Sequence, residues 1–209
     1  MTGTGETAAF IETWLPAGRS IIEAGCGDGE LAALLLRRGY RVLAVDADEA
    51  AVEAARERGV EARHASWPSF DPRPADAVVF TRSLHHIAEL ERAVSLASEC
   101  APLLLVEDFA FPEADPRLID WIRAELSRLG VPWDETPHDI HSFAAMREAI
   151  SAHFDIVAAE EVPYCYRYAP AEHAERLMAG ERALGVPLLG RRVVGRAGET
   201  KRRPGERRW

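Results

Sequence analysis

The sequence predicts an α/β fold: a doubly wound, mostly parallel sheet with an antiparallel edge and a helical insertion after the fifth strand. Three observations carry that expectation. Short apolar, β-branched runs alternate with amphipathic stretches between residues 21 and 106. A glycine-rich turn, Gly25-Cys26-Gly27-Asp28-Gly29, joins the first run to the first helical stretch. Asp46 closes the second run about 20 residues further on, where this architecture puts the acid that holds a ribose diol.

In chain order, residues 6–15 set Ala9, Phe10 and Trp14 at helical spacing before Pro16 and Gly18, so a leading helix is expected against the sheet. A strand over 21–23, a helix over 30–38 ended by Gly39 and a strand over 40–46 make a βαβ unit. Asp48 is expected to cap a helix over 49–58, with a short third strand over 60–64. Pro68, Pro72 and Pro74 impose an irregular connection. Residues 77–80 are continuously apolar, as suits a strand buried on both faces, and they deliver Thr81-Arg82-Ser83-Leu84-His85-His86-Ile87. A helix over 89–100 and a fifth strand over 102–106, emerging at Glu107-Asp108, complete the alternation.

After Asp108 the rhythm changes. Residues 109–139 exceed an ordinary crossover and hold Trp121, Trp133 and four prolines around one amphipathic helix, 116–129, which reads as an insertion or lid over the acceptor side. Ser142 caps a helix to residue 153; strands over 155–168 and 188–197, with a helix over 171–184 between them, form the antiparallel edge. Tyr164, Tyr166 and Tyr168 would then share one strand face, as core or as an aromatic acceptor pocket. One domain over 1–200 is expected, followed by a Lys- and Arg-rich, disordered tail over 201–209.

A length of 209 residues supports a single substantial core, and a net charge of −9 argues against a general nucleic-acid binder. Cys26, Cys100 and Cys165 are isolated, so neither a disulfide framework nor a thiolate metal site is indicated. The first residues carry Glu6 and Glu12, not a basic region before an apolar core, and no stretch reaches the length of a membrane span. A reduced, cytoplasmic setting without membrane or nucleic-acid partners is expected.

The loop 25–29 has a specific physical purpose. Glycine allows positive φ and has no Cβ, so the backbone can pass within van der Waals reach of a ligand. The helix that follows points unpaired N–H groups and its positive dipole end into the same space.

Glu23-Ala-Gly-Cys-Gly-Asp-Gly, Val45-Asp-Ala-Asp, and Asp76-Ala-Val-Val-Phe leading into Ser83-Leu-His-His-Ile together resemble the class I S-adenosylmethionine-dependent methyltransferases, especially the small soluble type. The resemblance is strong over residues 19–108 and weak beyond. It implies a Rossmann-like methyltransferase fold, S-adenosylmethionine as cofactor and S-adenosylhomocysteine as product. It also implies that Glu23 stands near the methionine ammonium, that Gly25, Cys26, Gly27 and Gly29 line the methionine and ribose, and that Asp46 takes the ribose hydroxyls. Ala47 would lie against adenine. Ser66 and Trp67 fall where the family often has an acid facing the adenine amino group, and that acid is missing here. Thr81, Arg82 and Ser83 would approach the methionine end.

A dinucleotide-dependent oxidoreductase is the competing reading. With the second glycine of that fingerprint at Gly25, the first and third fall on Glu23 and Asp28, whose side chains obstruct a pyrophosphate. A non-catalytic S-adenosylmethionine-binding partner subunit is the third. Methyl transfer from a sulfonium needs chiefly positioning, with a base only where the acceptor loses a proton.

For that base His86 is the candidate, ahead of His85. His138, Asp139 and His141 have no diagnostic ligand spacing, so no metal is expected. The acceptor is expected to be a small metabolite, aromatic or carboxylated, with which Arg82, Arg117 and Arg123 can pair if they turn inward, surface solvation being the default for each.

Overall fold

In a computed structural model, which describes residues 3–71, 73–133 and 141–198, the alternating pattern gives one seven-stranded sheet. Helix α1 (Gly3–Trp14) leads into β1 (Ser20–Ala24), α2 (Glu30–Arg37), β2 (Arg41–Asp46), α3 (Glu49–Glu57) and β3 (Glu61–His64). Then come β4 (Ala77–Thr81), α4 (Leu90–Cys100) and β5 (Leu103–Phe109). The remainder is α5 (Pro116–Arg128), α6 (Phe143–His153), β6 (Asp155–Val162), α7 (Ala174–Ala183) and β7 (Gly190–Arg196). The strand order is β3-β2-β1-β4-β5-β7-β6, with β1 to β5 parallel and β7 inserted antiparallel between β5 and β6.

Period-2 alternation divides the core between the two faces of this sheet. Ile21, Val42, Ala44, Val79 and Leu105 meet α1, α2 and α3 on one side. Ile22, Val45, Val78, Phe80, Leu104 and Val106 meet α4 and α6 on the other. The expected capping is present: Asp48 accepts from the Ala50 N–H at 2.9 Å, and Ser142 from the Ala145 N–H at 3.1 Å.

One sequence expectation needs correcting. The strand begun at Asp155 ends at Val162, not at residue 168, because Pro163 has no N–H to continue a ladder. Tyr164 and Cys165 instead donate their N–H groups to the fully buried Glu181 carboxylate at 2.8 and 2.9 Å, and Cys165–Tyr168 forms a 3-10 turn. The tyrosines therefore do not alternate along one strand face. Arg117 pairs with Asp115 and Arg123 with Asp120 on the exposed side of α5, so the default of surface placement holds for both and neither turns inward.

The segment after β5 is also better packed than a loose cover. Leu118, Ile122 and Leu126 of α5 close a third apolar cluster with Tyr164, Tyr166, Leu177 and Leu189. Of the expected insertion, 134–140 lie outside the described residues, His138 and Asp139 among them, as does the tail 199–209.

Candidate active site

The strand order reverses between β1 and β4, and in open α/β sheets the crevice at the carboxyl ends of such a pair is where ligands bind. Glu23, Asp46, Thr81 and Glu107 all stand at or near those ends, with the glycine loop beside them.

Each glycine of the loop has its own reason. Gly25 has φ +77, and a Cβ there would sit 2.4 Å from the Ser83 Cβ, so its place is set by the close approach of the segment after β4. A Cβ on Gly29 (φ +75) would sit 2.6 Å from that of Ala55, which fixes the packing of α2 on α3. Gly27 has φ +52, and a Cβ there would meet nothing within 4 Å: this residue faces open space. Asp46 holds the loop from below, its Oδ2 accepting from the Gly27 N–H at 2.8 Å and its Oδ1 from the Asp48 N–H at 2.9 Å. Each oxygen keeps a further lone pair for a hydroxyl.

Around this loop lie two cavities. One, of about 480 Å³, is lined by Gly25, Gly27, Asp46, Ala47, Ser66, Trp67, Arg82, Ser83 and His86, so most of the residues implied by the resemblance converge there. Trp67 is mainly structural within it: the indole N–H donates to the Ala93 carbonyl at 2.9 Å and the ring stacks on Phe70. The second, of about 320 Å³, is bounded by Thr4 and Thr7 of α1, by Glu23, the loop, Glu30, Thr81 and Arg82. The leading helix therefore covers this end of the crevice. Cys26 contributes a neutral thiol, its pKa pushed up to about 12 chiefly by burial.

Glu23 is the unusual group. It is 1% exposed, Thr81 Oγ1 donates to its Oε1 at 3.4 Å, and its Oε2 is buried without a hydrogen-bond partner. Desolvation raises its pKa to about 8, against weaker lowering by Thr81 and Arg82. A buried carboxylate oxygen with no donor is a costly arrangement that a cation supplies with a reason. The residues thus fit a ligand bearing an ammonium beside Glu23 and a diol beside Asp46.

Arg82 reaches both cavities and has φ 58, alone among the described non-glycine residues in a positive value. Left-handed backbone at an arginine stores strain of about 1–3 kcal/mol, a pattern that clusters at functional sites. Beside it the two histidines part ways. His85 is buried, and its Nδ1 lies 2.6 Å from Asp108 Oδ1. His86 is exposed, lines the larger cavity, and lies with its ring 3.9 Å from that of His85. His141, described at the far end of the insertion, binds through its N–H to the His85 carbonyl and through Nε2 to the Ile87 carbonyl, both at 3.0 Å. It therefore braces this turn. No cluster of potential metal ligands occurs among the described residues.

Several groups near the site carried no sequence signal. Glu107, 1% exposed, accepts from Thr7 Oγ1 at 2.6 Å, from Arg167, and from Arg192 Nε at 2.6 Å, tying α1 to β5, β7 and the tyrosine turn. Only the acid at the end of β5 could have been noticed in the sequence; its partners are 60, 85 and 100 residues away.

Comparison with known proteins bears directly on this crevice: a methyltransferase domain profile matches residues 5–148, which hold the loop, Asp46 and the segment after β4. The chain belongs to the methyltransferase family. The match agrees with the class I S-adenosylmethionine-dependent methyltransferases that the loop residues resemble, and not with a dinucleotide-dependent oxidoreductase. This methyltransferase is 43% identical over 74 residues to a trans-aconitate 2-methyltransferase of Mycolicibacterium gilvum, a match covering 34% of this chain and 29% of that one. It is 37% identical over 95 residues to an uncharacterized methyltransferase of Mycobacterium tuberculosis, covering 42% and 48% of the two. The matches thus span less than half of those relatives. Among solved structures, geranyl diphosphate C-methyltransferase from Streptomyces coelicolor, determined with S-adenosyl-L-homocysteine, superposes with a TM-score of 0.66 at 15% identity over 93% of this chain and 79% of that one. The [4+2]-cyclase SpnF does so with a TM-score of 0.65 at 20% identity, over 92% and 80%. These likenesses establish the fold, a Rossmann-like methyltransferase sheet. Among the described residues no helix is long and apolar enough to cross a membrane.

Proposed function

We propose that this protein is an S-adenosylmethionine-dependent methyltransferase acting on a small-molecule acceptor. The single observation that carries the reading is the unpartnered, buried Glu23 Oε2 in the same crevice as Gly27 and Asp46. The cofactor, when bound, supplies an electrophilic methyl on a sulfonium. Glu23 would meet its ammonium, Asp46 its ribose hydroxyls, and Ala47 with Ser66 its base. Gly25 and Gly27 let the backbone approach, while α1, through Thr4 and Thr7, excludes water from the methionine end.

A small acceptor is supported by cavities of about 320 and 480 Å³, the smaller one bounded by α1, by the formal charge of −9, and by the small acid named for one relative. For an acceptor that must lose a proton, His86 is the base: it borders the cavity with Arg82 and Ser83, and the buried His85–Asp108 pair packs behind its ring.

Transfer of labelled methyl from S-adenosylmethionine into a metabolite extract, repeated after nuclease and protease treatment, tests the reading. Label that persists in the small-molecule fraction is expected. Label found only in macromolecules contradicts the acceptor class. Tight binding of S-adenosylhomocysteine with label in no fraction indicates the non-catalytic partner instead. His86→Ala should lower kcat while leaving the affinity for S-adenosylhomocysteine unchanged; normal turnover removes His86 from the chemistry.

A further inference from the structure

A third cavity, of about 220 Å³, adjoins the Glu23 cavity, sharing Thr4, Glu30 and Arg82 with it and adding Gly3, Tyr166 and Arg167. Two guanidinium groups therefore border a space next to the one that fits the methionine end. Both are incompletely answered by the protein. The Arg167 side chain is only 4% exposed; it donates through Nη2 to Glu107 and to Thr7 Oγ1 at 3.1 Å, yet its Nε is buried with no partner. A buried donor left in that state costs about 1–3 kcal/mol.

The charges are equally unbalanced. Glu107 is shared by Arg167 and Arg192, one buried carboxylate for two guanidiniums, and the second carboxylate near Arg192 is Glu160, 3.5 Å away and more than half exposed. Arg82 makes no side-chain hydrogen bond or ion pair among the described residues, although its backbone is held at φ 58. Glu30, the one carboxylate on the wall of this cavity, is exposed to water.

We infer that this cavity is a carboxylate subsite, in which Arg82 and Arg167 hold the acid group of the methyl acceptor. The inference rests on the methyltransferase reading above and narrows it to small carboxylic acids. The planar, multi-donor face of a guanidinium matches a carboxylate, and Arg82, which makes no side-chain hydrogen bond or ion pair among the described residues, has its donors available for one, with Arg167 adding positive charge on the same wall. Because Arg82 borders all three cavities, an acid held by it lies beside the space that fits the cofactor. The amino-acid carboxylate of the cofactor itself has the same chemistry, so the experiment must separate the two.

The test is binding of trans-aconitate, fumarate and benzoate against their methyl esters, read by saturation-transfer NMR with and without saturating S-adenosylhomocysteine. The affinity for S-adenosylhomocysteine is measured in parallel by calorimetry. Arg82→Asn keeps a residue that tolerates left-handed backbone, and Arg167→Lys keeps the positive charge facing Glu107. At least one acid is expected to bind while its ester does not, and Arg82→Asn, at a residue that also borders the cofactor space, should weaken the acid about 10- to 100-fold and by at least about 10-fold more than it weakens S-adenosylhomocysteine. Acids and esters binding alike, or no acid binding, overturns the subsite. Equal weakening of S-adenosylhomocysteine and acid assigns the arginines to the cofactor and overturns it too. Should Arg167→Lys fail to fold, Arg82→Asn, which touches none of the Glu107 partners, still decides. A wild-type protein that does not bind S-adenosylhomocysteine fails the proposed function instead, while the acid panel without it continues to score the subsite.

Discussion

The crevice around the glycine loop and the packed segment around Glu181 use buried carboxylates in opposite ways. Glu181, fully buried, accepts from the N–H groups of Tyr164, Cys165 and Leu189 at 2.8 to 3.0 Å, and its charge is answered entirely by backbone. Glu23 is as deeply placed and has only a long hydrogen bond from the Thr81 hydroxyl and a weak contribution from the Ala32 backbone, with Oε2 lacking a hydrogen-bond partner. A carboxylate completed by its own chain holds the fold; one left incomplete is held by the fold for something else.

The largest effect should come from the completed carboxylate. Glu181→Ala leaves three buried N–H groups without an acceptor, and we expect a loss of about 3–5 kcal/mol in denaturant unfolding. The affinity of the remaining folded protein for S-adenosylhomocysteine should be nearly unchanged. A loss of affinity without a loss of stability would erase the distinction between the two acids.

Next, Asp46→Ala should weaken S-adenosylhomocysteine binding by about 2–4 kcal/mol, read by calorimetry, because it removes charge-assisted hydrogen bonds to the diol and releases the Gly27 N–H. A variant of wild-type affinity would place the ribose elsewhere.

Glu23 sharpens the comparison through pH. Its pKa of about 8 in the folded protein lies above the ordinary 4.5, so between those values the folded state holds a proton that the unfolded chain has released. The associated stability is fully present below the lower value and is lost as pH rises through the upper one. Glu23→Gln cannot ionise. It should therefore melt above the wild type at about pH 9 and close to it at about pH 4. Parallel melting curves across that range would mean that Glu23 is not desolvated.

The smallest effect is expected on α5. Arg117 pairs with Asp115 at the surface, and Arg117→Ala should change neither the melting temperature nor the acceptor KM measurably. A raised KM would bring Arg117 back to the acceptor side.

How far the sequence could be read follows the same division. The order of strands and helices from β1 to β5 was legible because a parallel sheet buried on both faces demands continuous apolar runs. The loop was legible because Gly25, Gly27 and Gly29 occupy positive-φ positions that other residues rarely adopt. Asp46 stood at the spacing that this geometry imposes. Beyond β5 the determinants are long-range pairings. Nothing local in the sequence joins Glu107 to Arg167 and Arg192, or the Tyr164 N–H to Glu181, and the tyrosine alternation pointed to a strand until Pro163 and the Glu181 carboxylate are considered together. Arg82 was a candidate from its place after β4, but Arg167 joined it only through the fold. Trp67 matched the position of an adenine contact while its indole is engaged by the core.

The central claim is that an ammonium completes Glu23. Calorimetric titration of the wild type and Glu23→Gln with S-adenosylhomocysteine, with NAD and FAD as controls, tests it most directly. We expect the wild type to bind S-adenosylhomocysteine and neither dinucleotide, and to release protons on binding near pH 7, as the ligand ionises a Glu23 that is protonated when alone. Glu23→Gln should bind more weakly and lose that contribution to proton release. Equal affinity and equal proton release in the two proteins, or binding of NAD or FAD in place of S-adenosylhomocysteine, would contradict the account.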